Sequence, residues 1–231
     1  MKLLFYLLPI LSLITCSSGI STKNDLNRYG YHGSVKQIVS YKYTNFTGTI
    51  DSANFNVRTL YDYNKSGNVH FMQLVINRSM FDQQSTAIDF HYRLKDGAKT
   101  GWQEININAK DTSYGTIEWL DETHLFERKY TSANQVLYEI STELDPATLS
   151  EKVAEVKQFS NGKLVEDKVI ENVQKEDKSY FHIHKNKLTG TQDTVYIDIL
   201  QKDSLGNATQ LIERNTGTGL QNFIRKDFFY Y

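Results

Sequence analysis

The chain has one cysteine, Cys16, and two prolines, Pro9 and Pro146. A single thiol excludes an intrachain disulfide. Because it stands at residue 16, the chain beyond it has no thiol for nucleophilic catalysis or for a cysteine zinc site. So few prolines, with no low-complexity tract, exclude a Pro-rich spacer. Neither sign of charge dominates: the formal net charge is -1, which leaves no basic field and argues against a nucleic-acid partner. The patterns G-x-S-x-G, H-E-x-x-H, P-loop and G-x-G-x-x-G are all missing. Long apolar runs are missing too. Leu3 to Ile14, broken by Pro9 and Ser12, falls short of the roughly 20 residues that span a bilayer.

That short run follows Met1-Lys2 and has the make-up of an export signal. It ends in Leu13-Ile14-Thr15-Cys16, which resembles the lipobox of bacterial lipoproteins, with Thr15 where Gly, Ala or Ser is usual. The resemblance implies cleavage before Cys16, a diacylglycerol on its thiol and an acyl group on its new amine. Residues 1–15 are then the signal peptide, 16–28 the lipidated cysteine with a polar tether, and 29–231 a single β-rich domain. Each buried CH₂ contributes about 0.8 kcal/mol, so one acyl chain holds a membrane marginally and two or three hold it stably. Ser17, and not Asp, follows the cysteine; by analogy this points to the outer membrane, facing the periplasm, with surface exposure left open. The alternative is an ordinary signal peptide cut near Ser18 or Gly19, with Asn45-Phe46-Thr47 and Asn207-Ala208-Thr209 as sequons. A leftover cysteine in an exported chain calls for a purpose, and acylation supplies one.

What the chain has in plenty is aromatic and β-branched residues, including 15 Tyr and 12 Phe, a strand composition. Period-two alternation recurs. In "SVKQIVSYKYT" it sets Val35, Gln37, Val39, Tyr41 and Tyr43 on one face, and "TVYIDIL" and "QVLYEISTEL" behave alike. Asn161-Gly162 and Asp96-Gly97 are hairpin turns. Asn64-Lys65-Ser66-Gly67-Asn68 and Asp203-Ser204-Leu205-Gly206-Asn207 share the pattern D/N-x-x-G-N. These turns and their flanks resemble those of tyrosine-aspartate repeat proteins and of Gram-negative β-meander lipoproteins, a resemblance of fold style. Asp145-Pro146 predicts a short helical turn over 146–150 before the next strand. The expected fold is all-β: an antiparallel meander of about ten or more strands, curved into a half-barrel, closed barrel or sandwich.

Candidate chemistry is sparse. His182 and His184, two apart on a strand, are weak metal candidates that need a third ligand from His91, His124 or Asp198; with Lys185 and Lys187 nearby they read first as a solvated face. Glu118, Asp121, Glu122 and Glu127 are the carboxylates open to acid/base work. Trp102, Trp119, Tyr114 and Tyr130 are candidates for a stacking platform. The closing "QNFIRKDFFYY" reads as a final strand packing Phe223 or Phe229 inward. Asp51-Ser52-Ala53, Asp193-Thr194-Val195 and Asp203-Ser204-Leu205 resemble acceptors of periplasmic O-glycosylation. No catalytic residue, cofactor or metal is assigned, and Cys16 is the one modification site. The reading that results is a lipid-anchored, non-enzymatic interaction or accessory module. The alternative is a carrier holding an acyl chain or glycan in a β concavity, and a periplasmic hydrolase is the remote third.

Overall fold

The computed structural model describes residues 23–44, 55–77, 84–176 and 179–231. The signal segment, Cys16, Asn45 and the Asp51 triplet lie outside them. Fourteen strands follow one short helix, α1 (Asp25–Arg28). They are β1 (Val35–Thr44), β2 (Val57–Tyr63), β3 (Val69–Ile76), β4 (Thr86–Lys95), β5 (Ala98–Asn106), β6 (Asp111–Trp119) and β7 (His124–Thr131). Then come β8 (Val136–Leu144), β9 (Glu151–Ser160), β10 (Lys163–Glu176), β11 (Ser179–Asn186), β12 (Gln192–Lys202), β13 (Ala208–Asn215) and β14 (Gln221–Tyr230). Each strand pairs antiparallel with the next, and β1 pairs with β14, so the meander closes into a barrel. Closure removes every free edge, the physical liability of an open sheet.

The turns follow from local chemistry. Asp96 and Gly97 (φ 52 and 80) and Asn161 and Gly162 (φ 51 and 73) place two successive residues at positive φ, the two-residue geometry that matches strand twist. In the D/N-x-x-G-N turns the first side chain gathers the loop: Asn64 Oδ1 accepts from the Ser66 and Asn68 amides, and Asp203 Oδ1 from the Leu205 and Asn207 amides. The closing asparagines are buried and reach outward. Asn68 Nδ2 donates to the Gly97 carbonyl at 2.7 Å, while Asn207 Nδ2 donates to the His32 carbonyl at 2.9 Å and to the Tyr230 hydroxyl at 2.8 Å. Residues 146–150 form no helix. Asp145 does accept from the Ala147 and Thr148 amides, but Leu149 turns left-handed (φ 58) and Asp145 N–H bonds the Ser150 carbonyl. Gly190 and Gly219 stand in the equivalent place of the Asn186 and Asn215 turns (φ 70 and 69).

A bulge between Val35 and Gln37 reverses the face expected for β1. Ile38, buried and registered with Tyr61 and Phe228, points inward, whereas Val39 and Tyr41 point outward. On β14 it is Phe228 that faces inward; Phe229 is 48 % exposed, and Phe223 is buried against Tyr43.

The barrel is sealed at one end. Residues 24–28, expected as the end of a tether, fold into it. Asn24 caps α1 through Asn27 N–H, and Leu26 joins Val35, Ile38, Tyr63 and Val69 in one apolar cluster. Beside it Trp102, Ile117, Leu125 and Leu144 form a second. Each such aliphatic side chain contributes roughly 1.5–3 kcal/mol when fully buried. The residual crevice around α1, between Asn24, Arg28, Lys99 and Trp119, is about 10 Å³, room for no more than one water.

Candidate functional site

Barrels of about eight strands fill their interior with side chains, and those of about sixteen hold an aqueous channel. Fourteen strands fall between, and the sealed end accounts for only part of the lumen. Register identifies the inner face beyond it. Ile38 pairs with Tyr61, Tyr61 with Met72, and Met72 with Phe90; two residues further along each strand come Ser40, Thr59, Leu74 and Ile88. On the opposite wall Ile140, Val156 and Ile170 lie inward, with His184 registered to Ile170. Near α1 the inward side chains are fully buried, Leu125 and Leu144 at 1 % and 2 % exposure. Beyond it Leu74, Ile76, Ile88, Ile140, Val156 and Ile170 are only half-buried, although they face the interior. Among the described residues the inner face is therefore fully buried at the α1 end and partly exposed further along.

Charged groups line the same space in pairs. Arg28 enters from α1 and bonds Glu127 (Nη2–Oε2 3.0 Å) and Glu151 (Nε–Oε1 2.6 Å). Lys99 meets Asp25 at 2.8 Å, and the second oxygen of Asp25 accepts from Val69 N–H at 2.7 Å. Lys129 meets Glu104 at 2.5 Å, and Lys42 meets Glu213 at 2.7 Å. Burial works to raise the Glu127 carboxyl, but the Arg28 guanidinium overcomes it and holds the acid below its ordinary value. The outer wall is polar as well. Gln37–Asp62, Arg58–Gln73, Gln73–Asp89 and Arg128–Glu139 link neighbouring strands, unlike the continuous apolar band a lipid-facing barrel needs. No helix among the described residues is long and apolar enough to cross a membrane.

His182 and His184 lie on this inner face and are half-buried, not on a solvated one: His182 pairs in register with Asn172 and Val195, and Tyr180 on the same side pairs with buried Ile197. Their neighbours Lys185 and Lys187 mislead, because Lys185 points to the opposite face, bonded to Glu171, and Lys187 sits in the turn. The rings stand 6.3 Å apart; His182 Nδ1 is bonded to Asn172, and Asp193 lies 3.7 Å from His184. The expected third ligands go elsewhere: His91 tilts against Phe71, His124 bonds Asp121, and Asp198 pairs with Arg214. Among the described residues no three metal-ligating side chains converge.

Burial disfavours the charged imidazole and lowers both histidines. A histidine lowered on folding leaves stability intact above the unfolded value of about 6.5 and withdraws it as pH falls toward the folded one. The melting temperature of the wild type is thus expected to drop between pH 7.5 and 5.5. In the His182→Asn, His184→Asn double variant this drop shrinks, and an unchanged pH slope would count against the assignment.

The other candidates do not assemble. Glu118 is exposed on the outer wall, Asp121 and Glu122 lie in a turn, and Glu127 is bound to Arg28 inside. Trp102 is buried in the core, and Trp119 takes Lys23 over its ring at 5.2 Å. Tyr114 and Tyr130 pair on the outer face, so the four aromatics form no common platform. Sequence reasoning missed Arg28, Lys99, Lys129 and Lys226, since charges on alternating residues do not say which face is interior. No protein-family model matches the chain, and neither the curated proteins nor the solved structures hold a match to it.

Proposed function

We propose that this is a lipid-anchored, non-enzymatic envelope protein, tethered through Cys16, that holds a single-chain amphiphile in the open half of its barrel. The observation that supports the carrier reading is the row of half-buried, inward-facing aliphatics (Leu74, Ile76, Ile88, Ile140, Val156, Ile170) beyond the sealed end. Ligand cavities combine an apolar lining with polar groups that orient the guest, and this inner face sets an apolar row beside charged side chains. A glycan is less well served, because its stacking aromatics are divided between the two faces.

The chain from Ser17 onward keeps every contact described above, all of which start at Lys23. Incubated with palmitate and examined by native mass spectrometry, it is expected to carry one chain per molecule. Leu74→Glu, which places a charge in the apolar wall, is expected to abolish the adduct. In cells, radioactive palmitate should label the wild type and not Cys16→Ser. A bare barrel that co-purifies with another protein would favour the interaction module instead.

A further inference from the structure

Among the described inner-face cations one is left without a carboxylate. Lys42, Lys99, Lys129 and Arg28 each have an acid within 3.0 Å, and Lys168 has Glu166 at 2.7 Å. Lys226, registered with Ser40 midway along the lumen, has no described carboxylate within 4.0 Å. Its Nζ donates to the Tyr31 hydroxyl at 3.0 Å and lies 5.2 Å from the centre of that ring, with Tyr180 and Tyr61 close enough to bear on its charge. Burial opposes the ammonium, yet Tyr31 outweighs it, so Lys226 sits above the usual lysine value and stays charged. Burial also pushes Tyr61 up to about 12, so this hydroxyl is neutral and supplies no counter-charge.

A half-buried ammonium with one hydroxyl partner has two further N–H bonds to spend. Leu74 and Ile88 lie across the β1, β2, β3 and β4 registers from it, as Lys226 pairs with Ser40, Ser40 with Thr59, Thr59 with Leu74 and Leu74 with Ile88. Polar seat and apolar wall thus lie on one register row of the inner face.

We propose that Lys226, framed by Tyr31, is the seat for the anionic head, carboxylate or phosphate, of the amphiphile whose chain lies along Leu74 and Ile88. This rests on the carrier reading above.

The test compares palmitate, hexadecyl phosphate and hexadecanol, which share a tail and differ in the head, on the chain from Ser17 onward. The wild type is expected to bind the better anionic probe at least ten-fold more tightly than hexadecanol. Whichever of palmitate and hexadecyl phosphate binds more tightly identifies the head. Lys226→Met is expected to lose that preference while binding hexadecanol as before, and Lys226→Arg to keep it. The methionine variant should melt no lower than the wild type, since it replaces a half-buried ammonium without a described carboxylate by an apolar chain of similar length. If it fails to fold, the wild-type preference and its retention in the arginine variant decide the question. Equal wild-type affinity for charged and neutral probes, or a preference that survives Lys226→Met, overturns the head seat and leaves the carrier reading standing. Failure of all three probes to bind overturns the carrier reading and the head seat with it.

Discussion

Replacing Gly115 by alanine is expected to lower the stability of the barrel by about 3 kcal/mol, through forced repacking of a core that has no slack. Gly115 pairs with Trp102 on β5 and Lys129 on β7. A Cβ there would lie 2.2 Å from the indole ring, a separation that real Cβ atoms essentially never show. The ring has nowhere to retreat: Trp102 is 4 % exposed, stacked at 6.3 Å on Tyr138 and tilted at 6.4 Å against Tyr92. The neighbouring Gly101 is confined as well, its own missing Cβ lying 2.4 Å from the Gly115 carbonyl. Urea unfolding followed by far-ultraviolet circular dichroism reads the loss directly. Trp102→Leu in the same chain should restore part of it, as expected for two residues in contact. An unshifted midpoint in the single variant would refute the packing described here.

Arg28→Met is expected to cost roughly 3–5 kcal/mol near neutral pH, because it leaves Glu127 and Glu151 enclosed without their cation. Arg28 and Glu127 side chains keep only 10 % and 12 % of their surface exposed, so solvent does little to relieve the loss. The sign of the pH dependence distinguishes this from lost packing. In the wild type Glu127 is held below its ordinary value; its contribution is present above the unfolded glutamate value of about 4.3 and is lost as pH falls through the folded one. Without Arg28 only the more weakly acting Lys99 opposes burial, the largest influence, and the same carboxyl rises. Its ionised form then penalises folding, and the penalty grows as pH rises through the raised value. Melting temperature from pH 7 down to about 4.5 should therefore climb in the variant relative to the wild type. Parallel curves would mean that the pair contributes shape and not charge.

Period two and turn chemistry were enough to read an antiparallel meander, because each is a property of a few adjacent residues. Asn161-Gly162 and Asp96-Gly97 could be placed on sight. Closure was not legible, since β1 and β14 meet only in space and nothing in either segment names the other. Faces were harder still. In a barrel with ion pairs inside and amide ladders outside, alternation shows that two faces exist without telling which is which; a single bulge at Val35 reverses β1, and the lysines beside His182 and His184 make an inner strand read as a surface one. The plug was hidden for a related reason. Asn24-Asp25-Leu26-Asn27-Arg28 is polar enough to pass as tether, because it is held by Glu127, Glu151, Lys99 and the Val69 amide more than by grease.

Every hairpin can form as soon as its two strands exist, but the seam between β1 and β14 joins the first-made strand to the last. A chain synthesised from its N-terminus must therefore keep Val35–Thr44 waiting with one side unsatisfied until residues 221–230 arrive. Loss of the final segment by truncation would leave β1 and β13 as two raw borders on one molecule, each a template for another copy. The last ten-residue strand thus guards the whole protein against polymerising with itself.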